Sequence, residues 1–138
     1  MRRVVSLLLV IGLALAFAHP CLAAESQMTT VSPRFAYIST TKVGISINET
    51  SGVAQCSAYC YAIGNYTVEV QCKLQRYTGS SWVTLKTWSS SGTQYSSVSE
   101  YWAVVSGYTY RANAVFRVRD SAGNLLESVG NMDNYTYV

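Results

Sequence analysis

The chain carries few of the side chains that do covalent chemistry. Its 138 residues include one histidine and four cysteines. The histidine, His19, sits beside Pro20 and Cys21 near the N-terminus, and Cys56, Cys60 and Cys72 lie in the body of the chain. Zinc sites draw on Cys and His at short, regular spacings such as C-x-x-C. No such spacing occurs here, so the reading is no metal and no cofactor. No histidine remains in the body to serve as a base, and no cysteine has an evident activating partner. Glycoside hydrolysis needs two carboxylates across one bond, whereas Glu69, Glu100 and Glu127 are scattered singly. The inventory predicts a protein that is not an enzyme.

The cysteines still have a covalent option. Cys56 and Cys60 fall on the same face of one strand, about 13 Å apart at roughly 3.3 Å per residue, too far to bridge. Cys56 and Cys72 are symmetric about Gly64, so a hairpin or a cross-sheet arrangement brings them together, leaving Cys60 as a free thiol. Cys60 with Cys72 is the less symmetric pairing. A Cys56–Cys72 bridge would add about 3 kcal/mol in the chain-entropy account. Buried thiols acting as small hydrophobes are the alternative.

Binding chemistry has more material. Eleven tyrosines and three tryptophans stand in the chain. Tyr59 and Tyr61 alternate with inward positions and should face outward, and Tyr77 and Trp82 flank the Gly79 turn. Exposed rings stack on sugars or partner side chains, although cross-strand aromatic pairs also serve sheets structurally. Arg111, Arg117 and Arg119 share one strand face and could form a stripe for an acidic polymer; charge on an exposed strand also discourages edge pairing. Asn48, Asn65 and Asn134 each begin an N-x-T triplet, which matters only in a glycosylating host.

The elements that must position these residues are strands. Arg2 and Arg3, the apolar run Val4 to Ala18, and the small residues Ala23 and Ala24 have the order of an export signal, assigned to residues 1–24 with cleavage after Ala23 or Ala24. The run is short for a bilayer span, which takes about 20 residues. A lipidated Cys21 and a twin-arginine signal are the alternatives, each fitting less well. Cleavage removes His19, Arg2 and Arg3, so the ten basic residues become eight against seven acidic ones. No field remains to draw nucleic acid. The expected location is secreted, with cell-wall association as one form of it, and no membrane span once the signal is gone.

Beyond residue 24, apolar residues recur at every second position and the vocabulary is Ser, Thr, Tyr and Val. Phe35 to Ile38 opens the domain, and Val43, Ile45 and Ile47 alternate next. Ala54, Cys56, Ala58, Cys60 and Ala62 share a face, as do Val68, Val70, Cys72 and Leu74. Trp82 to Trp88 follows a tight turn, then a polar loop at Ser89 to Gly92. Tyr95 to Val105 places Val98, Trp102 and Val104 against the core. Tyr108 to Arg119 alternates cleanly, and a turn at Asp120 to Asn124 leads into Leu125 to Val129. About seven strands of this kind without helices predict an all-β, two-sheet antiparallel sandwich of immunoglobulin or fibronectin type III type, spanning residues 25–130, with a frayed polar tail over 131–138.

The hairpin from Lys73 to Leu85 (KLQRYTGSSWVTL), the segment Gly107 to Arg111 (GYTYR) and the turn Asp120 to Asn124 (DSAGN) resemble the corresponding parts of bacterial immunoglobulin-like domains. With the leader and the length, the chain resembles a family of small secreted proteins of Gram-positive bacteria. That resemblance implies a sandwich and export. The family has no assigned activity, so it brings no site residues with it, and this chain departs from it in carrying three cysteines in its body. The expectation is a non-enzymatic module that binds a cell-wall polymer, a carbohydrate or a surface protein. The alternative is a structural, self-associating protein linked through a sheet edge or an unpaired Cys60.

Overall fold

The computed structural model describes residues 35–138. The leader at 1–24 and the domain start at residue 25 lie outside the described residues. Seven strands follow in order: β1 (Ile38–Asn48), β2 (Val53–Ala62), β3 (Thr67–Tyr77), β4 (Trp82–Thr93), β5 (Tyr95–Ala103), β6 (Tyr108–Arg119) and β7 (Leu125–Tyr137). They form two antiparallel sheets, a front sheet β1-β2-β5 and a back sheet β4-β3-β6-β7. The described residues form an all-β two-sheet sandwich without helices.

Strand periodicity explains the layers. On β2 every second residue from Ala54 to Ala62 is buried, and the residues between them turn outward. On β3 and β6 the same alternation buries Val68, Val70, Leu74, Phe116 and Val118. The small Ala and Cys side chains of β2 face these larger ones across the interior, where β2 lies against β3 and β6. Each large side chain buried this way contributes about 1.5–3 kcal/mol.

Tyr110 closes the β5–β6 connection. Its ring is fully buried. Its hydroxyl donates to the Val105 carbonyl at 2.7 Å and accepts from the Val105 N–H at 3.1 Å. Both orphan backbone groups of the arch are thus satisfied by one side chain.

The structure corrects the expected segmentation in four places. Phe35 to Ile38 and the next alternating stretch are not separate strands; β1 runs on from Ile38, with a register shift between Ile38 and Thr40. The expected loop at Ser89 to Gly92 is strand, because its backbone continues the ladder to Gln71, Val70, Glu69 and Val68. Gly92 is required there, since a Cβ would collide with the Tyr95 carbonyl. Gln94 alone then carries the chain from back sheet to front, at φ 67°. That left-handed conformation costs about 1–3 kcal/mol for a non-glycine residue. Two backbone bonds hold it, from Gln94 N–H to Tyr66 and from Ala62 N–H to Gln94, each 2.8 Å. Trp102, expected in the core, is 41 % exposed and lies under the Lys86 ammonium, 4.9 Å from the ring centroid.

The fourth correction is the tail. Residues 131–137 are not frayed; β7 pairs with β6 as far as Tyr108 opposite Tyr137. Its polar side chains make tertiary bonds. The Asp133 carboxylate accepts the Ile45 N–H at 3.1 Å. The Tyr137 hydroxyl donates to the Glu49 carbonyl at 2.9 Å, and the Tyr135 hydroxyl to the Glu49 carboxylate at 3.0 Å. Further along β7, the Glu127 carboxylate accepts the N–H groups of Ala36 at 3.2 Å and of Tyr37 and Ile38 at 2.8 Å each. The acids of β7 therefore cover amides at the edge of β1.

Candidate functional site

The front sheet presents a tyrosine cluster. Tyr59 and Tyr61 occupy outward positions of β2, as alternation requires. The register places Tyr95 of β5 directly opposite Tyr61. The Tyr61 and Tyr95 rings lie 4.4 Å apart between centroids, and Tyr59 meets Tyr61 edge-on at 5.9 Å. Tyr61 is 46 % and Tyr95 40 % exposed. Tyr95 escapes a reading of the sequence because only the pairing of β2 with β5 brings it beside Tyr61.

Toward the other end of this face, Ser46, Asn48, Ser51, Gln55 and Tyr101 line a shallow concavity of about 340 Å³. A second, of about 270 Å³, adjoins it through Ser46 and Gln55 and is lined also by Lys42 and Ser57. The outward positions of the three front strands hold one charge, that of Lys42, and no carboxylate. The surface is a strip of hydroxyls and amides with rings at both ends.

Tyr77 and Trp82 are on the other side of the molecule. They pair across the β3–β4 turn on the outer face of the back sheet, with ring centroids 5.2 Å apart. The four aromatics singled out in the sequence therefore do not make one surface. Trp82 is also covered: the Arg111 guanidinium lies 4.1 Å over its ring. Arg111 is held there by its bond to Gln75 Oε1 at 2.7 Å, and Gln75 Nε2 donates to Thr84 at 2.9 Å.

The arginine stripe exists as a row on β6, but its members differ. Arg119 is paired with Glu69 at 3.0 Å and donates to the Gly123 carbonyl at 3.3 Å. Arg111 is engaged with Trp82 and Gln75. Of these three, only Arg117 has a guanidinium without a hydrogen bond or ion pair to the described residues. It borders a concavity of about 410 Å³ lined by Gln71, Glu69 and the serines Ser89, Ser90 and Ser91 of β4. The carboxylates are dispersed: Glu69 is bound to Arg119 and Glu127 to the β1 amides. Among the described residues no cluster of three metal-ligating side chains occurs.

All three cysteines of the body are thiols, and all three are fully buried. Burial, with the nearby Glu127 charge, pushes the Cys60 pKa up to about 11. Cys60 therefore has no access to a second copy of the chain, which removes the expected intermolecular link. Cys56 and Cys72 stand on facing strands of the two sheets, not within a hairpin, and no two of the three cysteines are at disulfide distance, so the expected bridge is not formed. The hydrogen bond shared by Cys56 and Cys72 raises the Cys56 pKa, reinforced by burial, and lowers that of Cys72 against the opposing effect of burial.

No protein-family model matches the chain, and no curated protein is similar to it.

Proposed function

We propose that this protein is an exported, non-catalytic immunoglobulin-like module that binds a neutral cell-surface polysaccharide through the outer face of its front sheet. The observation that carries the reading is the exposed Tyr59–Tyr61–Tyr95 cluster beside a carboxylate-free strip of hydroxyls and amides. Sugars offer a C–H face to aromatic rings and hydroxyls to side chains of that kind. A surface with one cation has little to offer a polyanion. The leader-like order of residues 1–24 supports export. The strand order and the Tyr110 hydroxyl bond at the start of β6 support the immunoglobulin or fibronectin type III assignment, and with it the kinship to the small secreted Gram-positive proteins that the hairpins resemble.

The test is co-sedimentation with purified cell wall and a panel of insoluble polysaccharides. Saturable retention by a neutral polymer that persists in moderate salt is expected. A Tyr61→Ala, Tyr95→Ala double variant should lose it while keeping the thermal transition of the parent. Unchanged retention by a folded double variant would remove this face from consideration.

The unpaired Arg117 favours a second reading, in which the back-sheet concavity holds an acidic polymer. Retention would then fall steeply with salt and disappear in Arg117→Gln, with the tyrosine variant unaffected.

A further inference from the structure

The two edges of the front sheet are finished differently. At β1 the Glu127 and Asp133 carboxylates accept backbone N–H groups. β5, the other edge, has its ladder only with β2, and no side chain among the described residues caps its backbone. The inward rim beside this open edge is cationic. Lys86 of β4 stands opposite Leu74, and Arg76 is the next inward residue of β3, opposite the core residue Tyr110. The Lys86 ammonium lies 4.9 Å from the Trp102 ring centroid, and the Arg76 guanidinium 4.5 Å from that of Tyr108. Neither cation has a carboxylate partner among the described residues. Arg76 Nε is also the one buried side-chain polar atom of the described residues that lacks a hydrogen-bond partner, a cost that an acceptor would remove. Both rings are exposed, as is Val83 opposite Arg76. Glu100, one inward position before Trp102 on β5, is the single acid among the inward residues of β4 and β5.

We propose that the β5 edge is the docking site for an extended acidic segment of a partner protein, which joins the front sheet as its fourth strand. The back sheet already has four strands against the front sheet's three. The segment's backbone continues the ladder from β5. Its inward carboxylates meet Lys86 and Arg76, whose planar guanidinium offers parallel N–H donors to one carboxylate. Its neutral side chains lie beside Glu100 and over Val83. An inward lysine at an edge bars an apolar strand and admits an acidic one, so the same charge that prevents indiscriminate pairing selects the partner. Open backbone and an exposed aliphatic side chain favour a peptide over a sugar acid, which would use neither. The outer face of the front sheet takes no part, so this inference is independent of the polysaccharide reading.

The test is fluorescence anisotropy of a fluorescein-labelled peptide of four Glu-Thr repeats titrated with the full chain, beside its Lys-Thr counterpart. Saturable binding of the acidic peptide alone is expected, weaker by about tenfold in Lys86→Gln and in Arg76→Gln. Hydrogen exchange of the complex should slow at the β5 amides, a readout that needs no substitution and that side-chain contact alone would not produce. Retention on a neutral polysaccharide should be the same in Lys86→Gln as in the parent. Equal binding of both peptides or of neither, parent-like affinity in a folded Lys86→Gln, or unchanged β5 exchange in the complex would overturn the proposal. Two other occupants would also overturn it. Slowed β5 exchange that grows with protein concentration in the absence of peptide would assign the edge to a second copy, and polygalacturonate bound in preference to the peptide would assign the cations to an acidic polysaccharide.

Discussion

The Tyr110 hydroxyl is bonded on both sides by Val105, as donor at 2.7 Å and acceptor at 3.1 Å. Removing it takes the partner from the Val105 carbonyl and N–H at a half-buried site, where a hydrogen bond contributes about 0.5–1.5 kcal/mol. Tyr110→Phe should therefore lower the urea midpoint by that amount of stability with little change in the slope of unfolding. A midpoint equal to the parent's would show that water replaces the hydroxyl. The alternation from Tyr108 to Val118 was enough to place the Tyr110 ring inward, but not to find its partner, which lies in an arch whose path periodicity does not encode. The same limit applies to the binding residues. Tyr59 and Tyr61 were legible as outward, because a strand has two faces. Tyr95 was not, because its place beside Tyr61 is set by pairing between distant strands. Arg111, Arg117 and Arg119 were legible as a row, whereas only contacts with Gln75, Trp82 and Glu69 reveal that one of the three is uncommitted.

Among the elements, β1 and β7 depend on each other without sharing a ladder. β1 is an edge of the front sheet, and an edge strand offers open N–H groups to any other chain. Glu127 takes three of those that precede or begin β1, and Asp133 takes that of Ile45. Glu127→Ala should lower the Tm and produce concentration-dependent association, seen by size-exclusion chromatography across a dilution series. A monomer of lower Tm at every concentration would mean that the carboxylate contributes stability but does not guard the edge. This role explains why the C-terminal residues read as a tail. Asn131, Asp133 and Asn134 lack the apolar alternation that marks a strand, since the edge strand β7 carries polar groups for tertiary bonds and Gly130 packs nothing. The serine run of β4 misled for a similar reason. Ser89 to Ser91 sit on an edge strand whose ladder is made by backbone alone, so their side chains carried no strand signal, and Gly92 looked like a loop residue although it answers a close approach by the Tyr95 carbonyl.

For the molecule as a whole, the buried thiols tie stability to alkaline pH. A thiol whose folded pKa lies above its unfolded value keeps its proton longer in the fold. Its contribution is full below the ordinary value of 9.0 and is lost as pH rises through about 11 for Cys60. Denaturant titrations between pH 9 and 11 should show stability falling with pH, less steeply in Cys60→Ala than in the parent. Equal slopes would mean that Cys60 ionises alike in both states. The sandwich itself, its lack of helices and its inward faces were legible, because binary alternation is the strongest signal that strands leave. Which strand lies beside which was not, and that order has a consequence in time. Val53 finds its ladder partner at Ala103, and Thr67 finds one at Arg119. Contacts so distant along the chain close late, and topologies built on them fold in milliseconds to seconds rather than microseconds. During that interval β2 and β3 expose their apolar faces and all three of their sulfurs. The nascent chain is thus at its most adhesive, and its thiols at their most reactive, before β5 and β6 arrive.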